Sequence, residues 1–247
     1  MTDSEARQIH EMALEAQEKG DFVKALQLEV QAMILYQKTG DKLGFAEIQA
    51  MFYLTYKHLY DQTGDENYLV LAKHSAMISV ELAQKSGDKT ALAIPLFNLA
   101  KSQEAVENYA GALESYKEAL EYIEKYPDQN HDTEAVKLDF KIHTLTSEMK
   151  NGNFEVENEV LDALKKLETS QSNSDYERSV WLTSGYMRLA AILQEKDPKK
   201  AKEYLDMAKA VIDKDSRLTL MLKKWEKLAK SFATIGIVLL SSFFLSK

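Results

Sequence analysis

The chain has no cysteine, three prolines and nine glycines in 247 residues. The missing thiols exclude disulfides, thiolate metal sites and cysteine nucleophiles together, and they fit a reducing compartment. With Pro and Gly scarce and Ala, Leu, Lys, Glu and Gln abundant, the composition favours helix nearly throughout. An all-α protein is expected. Positive charge is also short, at a formal net charge of −8, which argues against a general nucleic-acid binder, since displacing phosphate counterions needs a cationic footprint. The shortage is uneven: residues 197–230 carry ten Lys or Arg against six Asp or Glu, so the excess acid lies upstream.

Catalytic signatures are missing as well. There is no GxGxxG, P-loop or GxSxG, and His10-Glu11 opens an HExxH pattern whose fifth position is Leu14, so no zinc pair forms. His10, His58, His74, His131 and His143 are scattered one per helix or loop and read as surface or structural residues. Carboxylate pairs such as Glu155 and Glu157 read as solvated helix face. No catalytic residue, cofactor or metal is expected. Met1-Thr2-Asp3-Ser4-Glu5 opens acidic and polar with no apolar run behind it, so no secretory or transit peptide is read and a cytoplasmic location is expected.

What is present is repetition. Gln37-Lys38-Thr39-Gly40-Asp41-Lys42 returns as Gln84-Lys85-Ser86-Gly87-Asp88-Lys89, 47 positions later, each time between helix-patterned stretches. Tandem helix-turn-helix units that cannot bury their apolar faces singly imply a stacked solenoid with an extended binding surface. Five units are read, near residues 3–39, 41–86, 88–127, 132–170 and 175–213, with second-helix markers at 25, 72, 112, 157 and 201. In the first, Ile9, Met12, Ala13 and Ala16 run at helical spacing to Gly20-Asp21, and Phe22, Ala25, Leu28 and Ala32 begin the return helix. The second has a long first helix, Leu43 to Tyr60. Pro95 places the start of the third unit's first helix near Ile94 or kinks it there.

These small residues at helix crossings, with Gly-Asp turns between, resemble the tetratricopeptide repeat in its long-helix form. Units one (Ala13, Gly20-Asp21-Phe22, Ala25, Ala32) and three (Leu96, Leu99, Ala100, Asn108-Tyr109, Ala112, Tyr116, Ala119) carry the likeness best. HEAT-type pairs share the 40–47-residue interval; the Gly-Asp turns and the alanines favour the tetratricopeptide reading. The resemblance implies a right-handed α-solenoid of about five antiparallel helix pairs over residues 1–230, with a capping helix at 216–230 and an apolar tail at 231–247. It also implies a groove lined by the first helices, at Arg7, His10, Leu14 and Gln17 in unit one, Ile94, Phe97, Lys101 and Glu104 in unit three, and Arg188 in unit five. In unit two the register is open, and Tyr53, Tyr56, Lys57 and Tyr60 crowd one face. Aromatics, cations and amides together suit an extended or helical peptide, with Lys or Arg meeting an acidic group. An equal reading makes Phe97 and two of the three tyrosines core. The family's chaperone-binding members grip a terminal carboxylate with Lys and Asn where this chain has His10 and Leu14, so that role is not expected.

The tail from Ser231 to Ser246 holds no charge, with Phe232, Ile235, Ile237, Val238, Leu239, Leu240, Phe243, Phe244 and Leu245 as its apolar content. As a helix it spans about 24 Å against a hydrocarbon core of about 30 Å, and lysines flank it upstream. It reads as a borderline membrane anchor or as a last helix packed on the body. The function expected is a non-enzymatic scaffold or adaptor that binds a protein or peptide in its groove, tethered at its C-terminus; the alternative is a soluble peptide-sensing regulator with the tail folded back. An enzyme is the third and weakest reading.

Overall fold

The computed structural model of the chain describes residues 3–126, 134–170 and 174–245, except the side chains of Asp3, Ser4, Glu18 and residues 233–245. Among the described residues there is no strand, and eleven α-helices follow one another: α1 (Asp3–Glu18), α2 (Phe22–Thr39), α3 (Lys42–Thr63), α4 (Asn67–Ser86), α5 (Ala93–Ala105), α6 (Tyr109–Lys125), α7 (Glu134–Lys150), α8 (Glu157–Thr169), α9 (Asp175–Leu193), α10 (Pro198–Ile212) and α11 (Thr219–Leu245). Short 3-10 turns at Lys89–Leu92 and Phe154–Val156 lead into α5 and α8.

The repeated Gly-Asp pair divides its labour between two helix ends. Gly40 takes the left-handed conformation at φ 77° and donates its N–H to the Tyr36 carbonyl, closing α2; Asp41 then accepts from the Gly44 N–H at 2.9 Å and opens α3. Gly87, at φ 78°, and Asp88, which accepts from the Thr90 N–H at 2.9 Å, do the same after α4. A side chain at either glycine would be strained, and an acceptor lost at either aspartate would leave a helix-end donor open. Pro95 is the third residue of α5, in the first turn where its missing N–H costs nothing, and the 3-10 turn takes up the redirection instead of a kink.

The chain divides into two compact units, residues 1–131 and 132–247. In the first, α1 pairs with α2, α3 with α4 and α5 with α6; α2 packs on α3, α4 on α5, and the first helices α1, α3 and α5 meet in order. Alanines with no exposure, Ala13, Ala25, Ala32, Ala76, Ala112 and Ala119, sit at the contacts and let the helices approach closely. The second unit pairs α7 with α8 and α9 with α10, and α11 lies on α9 and α10. Its core centres on Ile142, Met149, Leu164, Leu167 and Leu189, all essentially buried. Gly185 marks the tightest approach there: a Cβ would meet Leu164 at 2.6 Å and Ile142 at 3.2 Å. The expected cap begins at Thr219, where Trp225 donates its indole N–H to the Leu205 carbonyl at 2.8 Å and Leu228 and Phe232 join the core.

The cap does not stop at residue 230. α11 continues as one helix to Leu245. The tail residues Ile235, Ile237, Val238, Leu239, Leu240, Phe243, Phe244 and Leu245 have side chains outside the described residues. Among the described residues no helix is long and apolar enough to cross a membrane.

Candidate functional site

In the first unit the three first helices enclose a cavity of about 560 Å³. Arg7 and His10 line it from α1, Leu43, Ala46, Glu47 and Ala50 from α3, Asp88, Thr90 and Ala91 from the turn before α5, and Ile94 and Pro95 from α5 itself. Ala46, Ala50 and Ala91 contribute little side chain to the lining, and Leu43, Ile94 and Pro95 make part of it apolar.

The polar rim is held in place by contacts within the wall. Arg7 is ion-paired with Glu47 across α1 and α3, and its guanidinium lies 5.9 Å from the centre of the Tyr36 ring. His10 Nδ1 is 3.0 Å from the Tyr36 hydroxyl. Burial pushes the His10 pKa down, which leaves it neutral at neutral pH, and burial pushes Tyr36 up to about 12. Asp88 accepts from both the N–H and the hydroxyl of Thr90.

Further along the same face, Gln17 donates to the Thr55 hydroxyl at 2.8 Å, and Thr55 donates to Glu29 Oε1 at 2.5 Å. This chain of bonds ties α1, α3 and α2 together. Glu29 has no exposure, its Oε2 has no hydrogen-bond partner, and burial lifts its pKa to about 7 against the smaller pull of the Thr55 bond. A carboxyl that is half protonated near neutrality carries less charge into the interior, which lessens the cost of burying it.

The residues expected in the groove are not all brought together. Arg7, His10 and Ile94 line the cavity together. Tyr60, Lys57, Tyr56, Lys101 and Glu104 lie at the other end of α3 and α5 and are engaged with their neighbours. Lys57 pairs with Asp61 and sits 5.3 Å from the Tyr60 ring centre, and Tyr56 stacks between Phe52 and Tyr68. Lys101 lies 5.1 Å from the Phe97 ring centre, while Glu104 accepts from the Tyr116 hydroxyl at 2.9 Å. Tyr53 and Phe97 are core residues: Tyr53 packs on Ala72 and Ala76 at 1% exposure, and Phe97 meets Tyr116 edge-on at 5%. Burial removes both from direct contact with a ligand. Arg188 belongs to the second unit, where it donates to the Thr146 hydroxyl at 2.8 Å. Leu14 is exposed.

Leu43, Glu47, Asp88 and Thr90 were not anticipated. The 22-residue α3 explains the first two: its extra turns place the cavity on its N-terminal half, whereas the tyrosine cluster that drew attention lies on its C-terminal half. A signal was available in Leu43, Ala46, Glu47 and Ala50, which recur at helical spacing on one face. Asp88 and Thr90 reach the site from a turn, where no periodicity points to them.

No protein-family model matches the chain, and no curated protein matches it either. Solved structures do. One, of a Podosopora anserina protein designated a kinesin light chain with nearly identical TPR-like repeats, is 17% identical, covers 86% of this chain and 97% of its own, and superposes with a TM-score of 0.55. Its Q17M variant is 18% identical, covers 88% and 99%, and gives 0.56. At these identities the likeness concerns the fold. The chain has the TPR-like helical-repeat fold, an all-α solenoid architecture.

Proposed function

We propose that this protein is a non-enzymatic interaction scaffold whose first-helix face, in residues 1–131, receives a segment of another protein. One observation carries the reading: three consecutive first helices, α1, α3 and α5, leave a cavity of about 560 Å³ lined by alanines, larger apolar residues and charged groups. An extended or helical peptide fits such a site because its side chains fill the apolar space while its polar groups meet the rim. A cytoplasmic setting agrees with the cysteine-free composition.

The test is affinity capture with the native chain beside a variant carrying Arg7, Tyr60 and Lys101 all replaced by alanine. Loss of a specific captured species supports the face; identical capture profiles move the site elsewhere on the molecule.

A second property is favoured by the course of α11. The helix is held to the body at Trp225 and by Gln194, which donates to the Ser231 hydroxyl at 3.0 Å, and it runs on through a sequence without charge as far as Lys247. We infer that this distal half tethers the scaffold to a lipid surface, with Lys223, Lys224, Lys227 and Lys230 on the headgroup side. Deleting residues 231–247 is expected to abolish co-flotation with lipid vesicles. Equal flotation of both forms would overturn the tether and leave the alternative, a soluble regulator with the tail packed on the body.

A further inference from the structure

The rim of the cavity is acidic in its available charge, and this decides which kind of segment it suits. Each cation expected to greet an acidic ligand is already engaged: Arg7 by Glu47, Lys57 by Asp61, and Lys101 over the Phe97 ring. Among the described residues lining the cavity, Arg7 is the sole side chain with a full positive charge, and His10, neutralised by its burial, adds none. Two carboxylates, Glu47 and Asp88, face it in the lining. Glu11 and Asp41 lie close enough to act on the Tyr36 phenol and reinforce the same sign. The surrounding unit is acidic too: residues 1–131 hold 21 Asp or Glu against 12 Lys or Arg. A glutamate side chain entering this space would meet a lining with one uncompensated negative charge, since Arg7 and Glu47 offset each other and Asp88 is left over, with Glu11 and Asp41 acting on Tyr36 nearby. A lysine or arginine would lay its aliphatic stem along Leu43, Ile94 and Pro95 and bring its head to Glu47 and Asp88, each of which has unused lone pairs.

We propose that the cavity between α1, α3 and α5 recognises a basic, apolar peptide segment, with Glu47 and Asp88 receiving its cationic side chain. This rests on the scaffold reading above and names the chemistry of its ligand. Glu47 has two roles in it. It draws the cation, and it offsets the charge of Arg7 in the lining; with that charge uncompensated in Glu47→Gln, Arg7 would repel a lysine and attract a glutamate.

The experiment uses two labelled synthetic twelve-residue peptides of equal leucine, alanine and serine content, one with four lysines and the other with four glutamates. Their binding to the full chain is read by fluorescence anisotropy at low and moderate salt. The lysine peptide is expected to bind at least about tenfold tighter than the glutamate peptide, with an advantage that shrinks as salt rises. Glu47→Gln should cancel or reverse that preference, and Asp88→Asn, which keeps the cap on the turn, should weaken lysine-peptide binding several-fold. Ala50→Trp fills the cavity and should abolish binding. Should that variant fail to fold by circular dichroism, Ile94→Arg on the partly exposed wall serves instead and should repel the lysine peptide alone. A glutamate peptide that binds as well as the lysine peptide, yet is blocked by Ala50→Trp, overturns the cationic ligand and spares the groove. Lysine-peptide binding that survives Ala50→Trp, or Ile94→Arg in its place, overturns the groove itself. Failure of both peptides to bind overturns the cationic recognition, while the capture experiment still judges the scaffold.

Discussion

The two units are built from the same helical hairpin and use it differently. In residues 1–131 the first helices leave a cavity lined by alanines and charged groups; in residues 132–247 the first helix α7 buries Ile142, Leu145 and Met149. Their charges differ as well, 21 acidic against 12 basic residues in the first and 18 against 19 in the second. Small residues, Ala46, Ala50 and Ala91, line the cavity of the first unit, where a ligand is proposed to enter.

Both tryptophans, Trp181 and Trp225, lie in the second unit, so their fluorescence follows that unit while far-ultraviolet circular dichroism follows both. The largest effect that would sharpen the contrast is Leu164→Ala. It opens a cavity in a filled core and is expected to cost about 2–5 kcal/mol, seen as an earlier fluorescence transition, with peptide binding by the first unit unchanged at low temperature. If binding falls in parallel, the two units do not function separately.

Next comes Glu29. Its folded-state pKa, about 7, lies above the ordinary 4.5, so its contribution to stability is full below about pH 4.5 and is lost as pH rises through 7. Glu29→Gln removes the ionisation and is expected to stabilise the first unit at pH 8 by up to about 3 kcal/mol relative to wild type, with little change at pH 4. Denaturant titrations at both pH values, followed by circular dichroism, measure it, and the tryptophan transition should not move. A pH-independent effect would mean that Glu29 titrates alike in the folded and unfolded chain, so that its burial does not lift its pKa.

Gly40→Ala acts locally. The added Cβ has open space around it but must adopt a left-handed conformation, and a loss of about 1 kcal/mol from the first unit is expected. The smallest effect belongs to Trp225→Phe, which gives up the bond to the Leu205 carbonyl in the second unit while keeping most of the packing, at a cost of about 1 kcal/mol or less. Fluorescence from Trp181 would report that change.

Much of the scaffold was legible in the chain because helix ends are local. Gly40-Asp41 and Gly87-Asp88 combine a left-handed stop with an acceptor start in two adjacent residues, and the alanines at 13, 25, 32, 112 and 119 declare close helix contacts by their spacing. The long first helix of the second hairpin and the cap after residue 216 could also be read this way, although α11 runs well past the expected end. The site was legible only in part. Arg7, His10 and Ile94 follow from the motif, but Tyr53 and Phe97 carry the same period and turn inward, because periodicity identifies a face without saying which neighbour covers it.

Sequence alone determined the helices, their turns, the order of the hairpins and the acidic character of the N-terminal half. All of these arise from interactions between residues a few positions apart or from simple charge counts. Tertiary structure decided which faces are covered, that Glu47 captures Arg7, that Gln17, Thr55 and Glu29 join in one buried chain, and that a space remains between α1, α3 and α5. Those outcomes depend on how three helices settle against one another, and distances across a packed interface are set by every side chain in it together.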